Sequence, residues 1–241
     1  MMRLDVFLVE NGYTVSRTEA KNSILSGSVA VNGKIINKPA FEVLGTESVS
    51  VDTSSKKYVS RGGLKLEGAI ETFKIDVSNK KAIDIGASSG GFTDCLLHYG
   101  ARHVICVDSG TNQLSEKIRN DSRITVIENY NARYLSLDDI PFLPDIAVMD
   151  VSFISATYII GQIYNCLSSD GDFVCLIKPQ FEVGKSAVGK GGIVKDEKKR
   201  LGAVERVTEY AKSVGFKFLG VIKSPIEGGD GNIEYLAYFK K

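Results

Sequence analysis

A mostly parallel, doubly wound α/β sheet preceded by a small α+β unit is the fold class this sequence predicts. From residue 81 onward, short apolar runs rich in β-branched residues alternate with helical patterns, the signature of strand–helix–strand crossovers. The last two apolar runs, 216–223 and 233–239, are joined only by Pro-Ile-Glu-Gly-Gly-Asp-Gly-Asn, a connection that suits antiparallel pairing, so the sheet should end with a reversed strand. Residues 1–52 stand outside this alternation, with helix signals of their own and an Asn-Gly hairpin turn.

Taken in order, Leu4, Phe7 and Leu8 recur at helical spacing, and Gly12 is a stop. Ser16 as N-cap with Glu19 three residues on forms a capping box for a second helix to about Leu25, ended by Gly27. Val29 to Ile36 alternates β-formers around Asn32-Gly33 and reads as a hairpin. Val43 to Val51 is expected to supply a further strand pair, interrupted by Gly45. Asp52 to Lys57 is polar and turn-rich, and Gly62-Gly63 predicts a flexible lead into a helix over 64–73. Strands are then expected near 82–86, 103–108, 123–128, 145–150 and 172–178, and a long helix over 196–213.

Bulk composition excludes more than it selects. Among 241 residues, a formal net charge of +1 gives no overall electrostatic attraction to a polyanion, so RNA binding must come from local placement of charge. The apolar run at the N-terminus is broken by Asp5 and Glu10 and cannot act as a signal peptide, and no uncharged stretch is long enough to span a bilayer. Cys95, Cys106, Cys166 and Cys175 lack C-x-x-C spacing, and the only histidines are His98 and His103. The expectation is therefore reduced core cysteines, no metal and a cytoplasmic protein.

The stretch Lys81-Ala-Ile-Asp-Ile-Gly-Ala-Ser-Ser-Gly-Gly-Phe-Thr-Asp94 organises the larger part. A buried strand ends at Asp84, a turn carries Gly86, Ser88, Gly90 and Gly91, and a helix follows from about Phe92. Such a turn lets backbone approach a ligand closely and offers the free N–H groups of a helix start. A dinucleotide fingerprint would need glycine at position 88, which is serine, and no phosphate-loop motif is present. Ile105-Cys-Val-Asp108 is a second apolar strand ending in an acid, where related folds hold ribose hydroxyls. Two more strands end in chemistry, Ala147-Val-Met-Asp150 and Val174-Cys-Leu-Ile-Lys178, and a lysine closing a buried strand is rare unless paired.

Two resemblances follow from these residues. Arg3-Leu-Asp-x-Phe-Leu, Ser16-Arg-Thr-Glu-Ala, Ile24, Gly27 and Val29-x-Val-Asn-Gly resemble the S4 RNA-binding domain. The resemblance implies that Arg3, Arg17, Lys21 and Lys34 face structured RNA, even though residues 1–52 hold five basic and six acidic side chains. Asp84-Ile-Gly-x-x-x-Gly-Gly-Phe is similar to the first motif of class I S-adenosylmethionine methyltransferases. Lys65, Asp150, Lys178 and Glu234 match in order the K-D-K-E tetrad of FtsJ-like ribose 2′-O-methyltransferases. Ser60-Arg-Gly-Gly-x-Lys, Met149-Asp-Val-Ser-Phe-Ile and Ile177-Lys-Pro-Gln-Phe-Glu complete a close resemblance to the TlyA family, historically called hemolysins.

That resemblance implies an S4-like domain over 1–55, a linker over 56–62 and an FtsJ-like domain over 63–241, with a seven-stranded sheet whose last strand is antiparallel. It implies transfer of a methyl group from S-adenosylmethionine to cytidine 2′-hydroxyls of ribosomal RNA, by a monomer or weak dimer acting on ribosomal subunits. Lys178 is expected to accept the hydroxyl proton once burial and the nearby Lys65 lower its pKa, with Asp150 and Glu234 orienting the two amines. Cofactor contacts are expected from Asp84, Gly86, Ser88, Gly90, Gly91, Phe92, Asp108, Asn131 and Asp150. Arg61, Lys185 and Lys190 join the residues expected to meet RNA, the last two from a glycine- and lysine-rich loop after Lys178. The alternatives are an assembly factor whose methyltransferase domain only binds the cofactor, and a membrane-lytic protein.

Overall fold

The computed structural model describes residues 1–14, 17–25, 27–52, 57–184, 187–228 and 231–241, without the side chains of residues 18, 19, 22 and 190. The expected Ser16–Glu19 capping box and Lys185 lie outside the described residues, as does the Lys190 side chain. The chain divides into two compact units, Met1–Arg61 and Gly62–Lys241.

In the first unit, β1 (Met2–Arg3), α1 (Leu4–Glu10) and α2 (Arg17–Leu25) precede β2 (Val29–Val31) and β3 (Lys34–Ile35). β2 and β3 form the expected hairpin, with φ of 49° at Asn32 and 75° at Gly33, the paired positive values of a tight primed turn. Its small core joins Leu4, Leu8, Ala20 and Ile24 of the helices to Val29, Val31 and Val43. The expected strand pair within 43–51 is not formed. β4 (Glu42–Val43) instead pairs with β1, and β5 (Val49–Val51) pairs with β2. Between them the Glu47 carboxylate accepts from the amides of Leu44 and Gly45, closing a turn that sends the chain from one sheet to the other.

The second unit opens with α3 (Gly62–Phe73), so Gly62 and Gly63 are helical rather than a flexible lead. It continues through β6 (Lys81–Ile85), α4 (Gly91–His98), β7 (His103–Val107), α5 (Glu116–Arg119), β8 (Ile124–Ile127), β9 (Ile146–Met149), α6 (Thr157–Cys166) and β10 (Asp172–Ile177). It ends with α7 (Pro179–Glu182), α8 (Glu197–Val214), β11 (Lys217–Lys223) and β12 (Tyr235–Lys240). The seven strands lie in the order β11-β12-β10-β9-β6-β7-β8. All neighbours from β10 to β8 are parallel, and β12 runs antiparallel to both β10 and β11. The reversed last strand therefore lies inside the sheet, one place from its edge. Both faces are covered, which is why β6, β7, β9 and β10 read as continuous apolar runs rather than alternating ones.

This topology fixes the functional edge. β6, β7, β9 and β10 all end on one side, and reversal of β12 brings its beginning there as well. The register Ile177↔Tyr235 sets Lys178 beside Glu234, and Ile85↔Met149 sets Gly86 beside Asp150.

Candidate active site

The four tetrad residues meet at this edge. Lys65, one turn into α3, is buried and its Nζ donates to Glu234 Oε2 at 2.6 Å. Lys178 Nζ lies 2.5 Å from Asp150 Oδ1 and donates to Ser152 Oγ at 2.8 Å. Side-chain exposure is 11% for Lys65, 3% for Glu234, 12% for Lys178 and 21% for Asp150, so each ammonium has exchanged most of its water for a carboxylate. The two pairs also feel each other. Burial works to raise the Asp150 pKa, but the ammoniums of Lys178 and then Lys65 outweigh it and hold the carboxyl below its usual range. Burial likewise works to lower Lys178, but Asp150 and Glu234 prevail and leave it above the ordinary lysine value. The expectation of a depressed Lys178 is thus corrected: its two acid neighbours win over burial and the second ammonium.

Asp150 also lines a cavity of about 510 Å³ with Gly86, Ser88, Asp108, Gln113, Asn131 and Arg133. At Gly86, φ is +83° and a Cβ would run into the Asp150 carbonyl oxygen and Val151, so only glycine leaves this corner open. The amides of Gly86 and Ala87 donate to the Val107 carbonyl, pinning the turn to the end of β7. Asp108 holds the loops around it, accepting from the Ser88 amide at 2.8 Å and the Gly110 amide at 2.7 Å. The Asn131 side chain accepts from the Arg133 amide at 3.1 Å, capping the turn at the cavity wall.

Of the expected cofactor residues, Gly86, Ser88, Asp108, Asn131 and Asp150 line the cavity, whereas Asp84, Gly90, Gly91 and Phe92 lie behind it. Gly90 starts α4 with φ +92°, and a Cβ there would press on Leu114 and Ile118, so this glycine serves packing. Phe92 is 3% exposed within the core. Asp84 is fully buried, its Oδ2 accepting from Thr93 Oγ1 at 2.6 Å and its Oδ1 without a partner. Burial first, with Asp150 and Asp108 adding to it, pushes its pKa up to about 7 despite the Thr93 hydrogen bond.

Sequence reasoning missed how the loops beside Asp150 and Lys178 are joined. Beyond the Lys178–Ser152 hydrogen bond, the rings of Phe153 and Phe181 lie 5.2 Å apart. Glu182 then accepts from Ser155 Oγ at 2.6 Å and the Ala156 amide at 2.8 Å. Both segments were visible as motifs, and only their pairing was hidden. Asn232, 1% exposed, was missed as well: it accepts from the Val194 amide and donates to the Gly192 carbonyl, tying the glycine-rich loop to the segment that carries Glu234.

In the first unit, Arg3 and Arg17 converge on one acid. Arg3 Nε and Arg17 Nη2 each lie 3.0 Å from the Asp5 carboxylate, which is fully buried while both guanidiniums are about half exposed. These hydrogen bonds, that of Arg3 first, lower the Asp5 pKa to about 2. Lys21 and Lys34 are exposed, and Arg61 is half-buried with its guanidinium against Gly27. Among the described residues no group of three or more His, Cys, Asp or Glu is placed to hold a metal ion, and no helix is long and apolar enough to cross a membrane.

Comparison with known proteins agrees with this architecture. Residues 58–241 match the FtsJ-like methyltransferase family and residues 2–49 match the S4 domain. The chain is 43% identical to the 16S/23S rRNA (cytidine-2′-O)-methyltransferase TlyA of Mycobacterium tuberculosis, over 99% of this chain and 89% of that protein. It is 45% identical to a protein named hemolysin A from Brachyspira hyodysenteriae, over 99% of both. A solved structure of a hemolysin candidate from Streptococcus thermophilus superposes with a TM-score of 0.79 at 42% identity, covering 100% of this chain and 88% of that one. With Asp150, Lys178 and Glu234 at the strand ends, Lys65 meeting them from α3, the reversed strand within the sheet and these matches along its whole length, the chain belongs to the FtsJ-like methyltransferase family and carries an S4 domain at its N-terminus.

Proposed function

We propose that this protein is a cytoplasmic S-adenosylmethionine-dependent ribose 2′-O-methyltransferase that acts on cytidine in ribosomal RNA. The observation that carries the reading is Asp150, which lines the cavity and also pairs with Lys178 in a cluster of two ammoniums and two carboxylates. The cavity suits the cofactor: Gly86 leaves room for close backbone approach, and Asp108 and Asn131 on its wall offer a carboxylate to the ribose and an amide to the adenine.

A ribose hydroxyl does not ionise at neutral pH, so its attack needs a base held within hydrogen-bond reach. Lys178 Nζ takes that proton. When bound, S-adenosylmethionine supplies a methyl on a positively charged sulfur, a charge that offsets the carboxylates now keeping Lys178 protonated. Asp150 orients Lys178, Glu234 holds Lys65, and Lys65 steadies negative charge developing on the ribose oxygen. The cluster carries no net charge, so it assembles in a part-dry edge without a buried excess. Arg3, Arg17, Lys21 and Lys34 of the S4 domain hold RNA through its phosphates.

The test is transfer of label from methyl-tritiated donor to ribosomal RNA lacking the modification, with the product digested to nucleosides. Label in 2′-O-methylcytidine is the expected result. RNA binding without label in any nucleoside would leave an assembly factor. Leakage of liposomes at micromolar protein, with no label in RNA, would favour the lytic activity that some relatives' names suggest.

A further inference from the structure

The Lys178 ammonium has three N–H groups, and the same loop offers it two partners: Asp150 Oδ1, with which it forms an ion pair at 2.5 Å, and Ser152 Oγ, which accepts a hydrogen bond at 2.8 Å. Among the described residues it has no third partner within hydrogen-bond or ion-pair distance. A neutral amine keeps two N–H groups and one lone pair at tetrahedral positions. With Asp150 as sole acceptor, the lone pair can occupy either of two remaining positions and the amine can swing about one bond. With both acceptors engaged, one position is left.

Ser152 is itself held. Phe153 follows it with φ +65°, a left-handed conformation that a bulky side chain adopts at a cost of about 1–3 kcal/mol. Phe153 is 91% exposed, so burial does not offset that cost. The surrounding seam does: Phe153 lies against Phe181, and Ser155 and Ala156 are bonded to Glu182. Residues 150–156 are thereby fixed to residues 178–182 at three successive points, and the strained turn presents the Ser152 hydroxyl to Lys178 at the cavity wall.

We propose that Ser152 is a positioning residue that aims the Lys178 lone pair at the ribose hydroxyl, a role that rests on the methyltransferase reading above. In the step it serves, the ribose O–H bond breaks and its proton joins Nζ, while the oxygen's electron pair forms the new bond to the methyl carbon. The electron pair of the old carbon–sulfur bond stays on sulfur. Throughout, the two other N–H groups of Lys178 remain on Asp150 and Ser152.

The experiment compares Ser152→Ala, Ser152→Thr and Lys178→Ala in the full chain. Three readouts are taken: single-turnover methyl transfer to ribosomal RNA, binding of S-adenosylhomocysteine, and the pH dependence of Lys178 acetylation by acetic anhydride, followed by peptide mass spectrometry without cofactor. In Ser152→Ala, transfer should fall roughly tenfold, part of the about 10²–10⁴-fold that a general base supplies. Half-saturation by RNA in the single-turnover assay and binding of S-adenosylhomocysteine should stay within about twofold, since the lost hydroxyl acts on proton transfer. Acetylation of Lys178 should shift to lower pH, because an acceptor of the ammonium is gone. Slower transfer from a more readily deprotonated amine separates aiming from pKa tuning. Ser152→Thr, which keeps the hydroxyl, should recover most of the rate. Full activity in Ser152→Ala alongside an inactive Lys178→Ala would overturn the role of Ser152 and leave the methyltransferase reading standing. Equal losses in the alanine and threonine variants, or an unmoved acetylation profile, would also overturn it. Full activity in Lys178→Ala would remove the reading beneath it.

Discussion

Asp84 binds its proton unusually tightly for an acid, and the cause is visible atom by atom: full burial, one hydrogen bond from Thr93, an unpartnered Oδ1, and the carboxylates of Asp150 and Asp108 nearby. Its pKa of about 7 lies above the unfolded value of 3.8. The folded chain therefore keeps a proton that the unfolded chain has lost. The resulting stability is fully present below pH 4 and disappears as pH rises through 7, a loss of order 4 kcal/mol at about 1.4 kcal/mol per unit. Asp84→Asn, which cannot ionise, should flatten this slope, so its urea midpoint relative to the parent should climb between pH 4.5 and 7.5; parallel profiles would contradict the assignment. Lys178, the proposed base, shows the opposite problem, since Asp150 and Glu234 keep it charged. Its neutral form is scarce at pH 7, so the single-turnover rate should rise about tenfold per unit between pH 7 and 9. A flat profile would mean that Lys178 gives up no proton in the rate-limiting step. Asp84 and Lys178 were both legible in sequence as charged side chains at strand ends. Their ionisation was not, because it depends on neighbours brought together by β9, β10 and β12.

At the scale of elements, apolar runs marked the five parallel strands within a residue or two because both sheet faces are covered, and Asn32-Gly33 marked its hairpin for the local reason that both residues take positive φ. β1 was invisible, since two residues carry no period, and β4, at the start of the run from Val43, was expected to pair within that run rather than with β1. Gly62 and Gly63 misled because glycine disfavours helix interiors, yet here they form the first turn of α3 with Gly63 buried. The segment before β12 illustrates what only coordinates reveal. A Cβ on Gly228 would lie 2.5 Å from Glu234 Oε1, so this glycine makes the space in which the carboxylate meets Lys65. Gly228→Ala should push Glu234 off Lys65, cutting kcat at least about tenfold while costing only about 1–3 kcal/mol of stability. Steady-state kinetics beside urea unfolding checks this, and wild-type kcat would show that the pair is not needed in its present geometry.

Across the whole molecule, charge is nearly balanced, with 30 basic and 29 acidic side chains, so affinity for RNA rests on where charges sit. In the first unit the sequence pattern picked out Arg3 and Arg17 but not the reason they act together, the buried Asp5 that both guanidiniums share. Removing one phosphate contact lowers the salt dependence of binding by about one unit of slope. Arg17→Ala should therefore weaken binding to ribosomal RNA and reduce the slope of log affinity against log salt by about one, measured by filter binding; an unchanged slope would exclude Arg17 from the RNA contact. The second unit is read most directly through Lys178→Ala, assayed for methyl transfer to ribosomal RNA and, in parallel, for binding of S-adenosylhomocysteine. A fall in transfer of about 10²-fold or more with binding within a few-fold of the parent is the predicted result, and turnover near the parent's rate would contradict the claim that this amine makes the ribose hydroxyl a nucleophile.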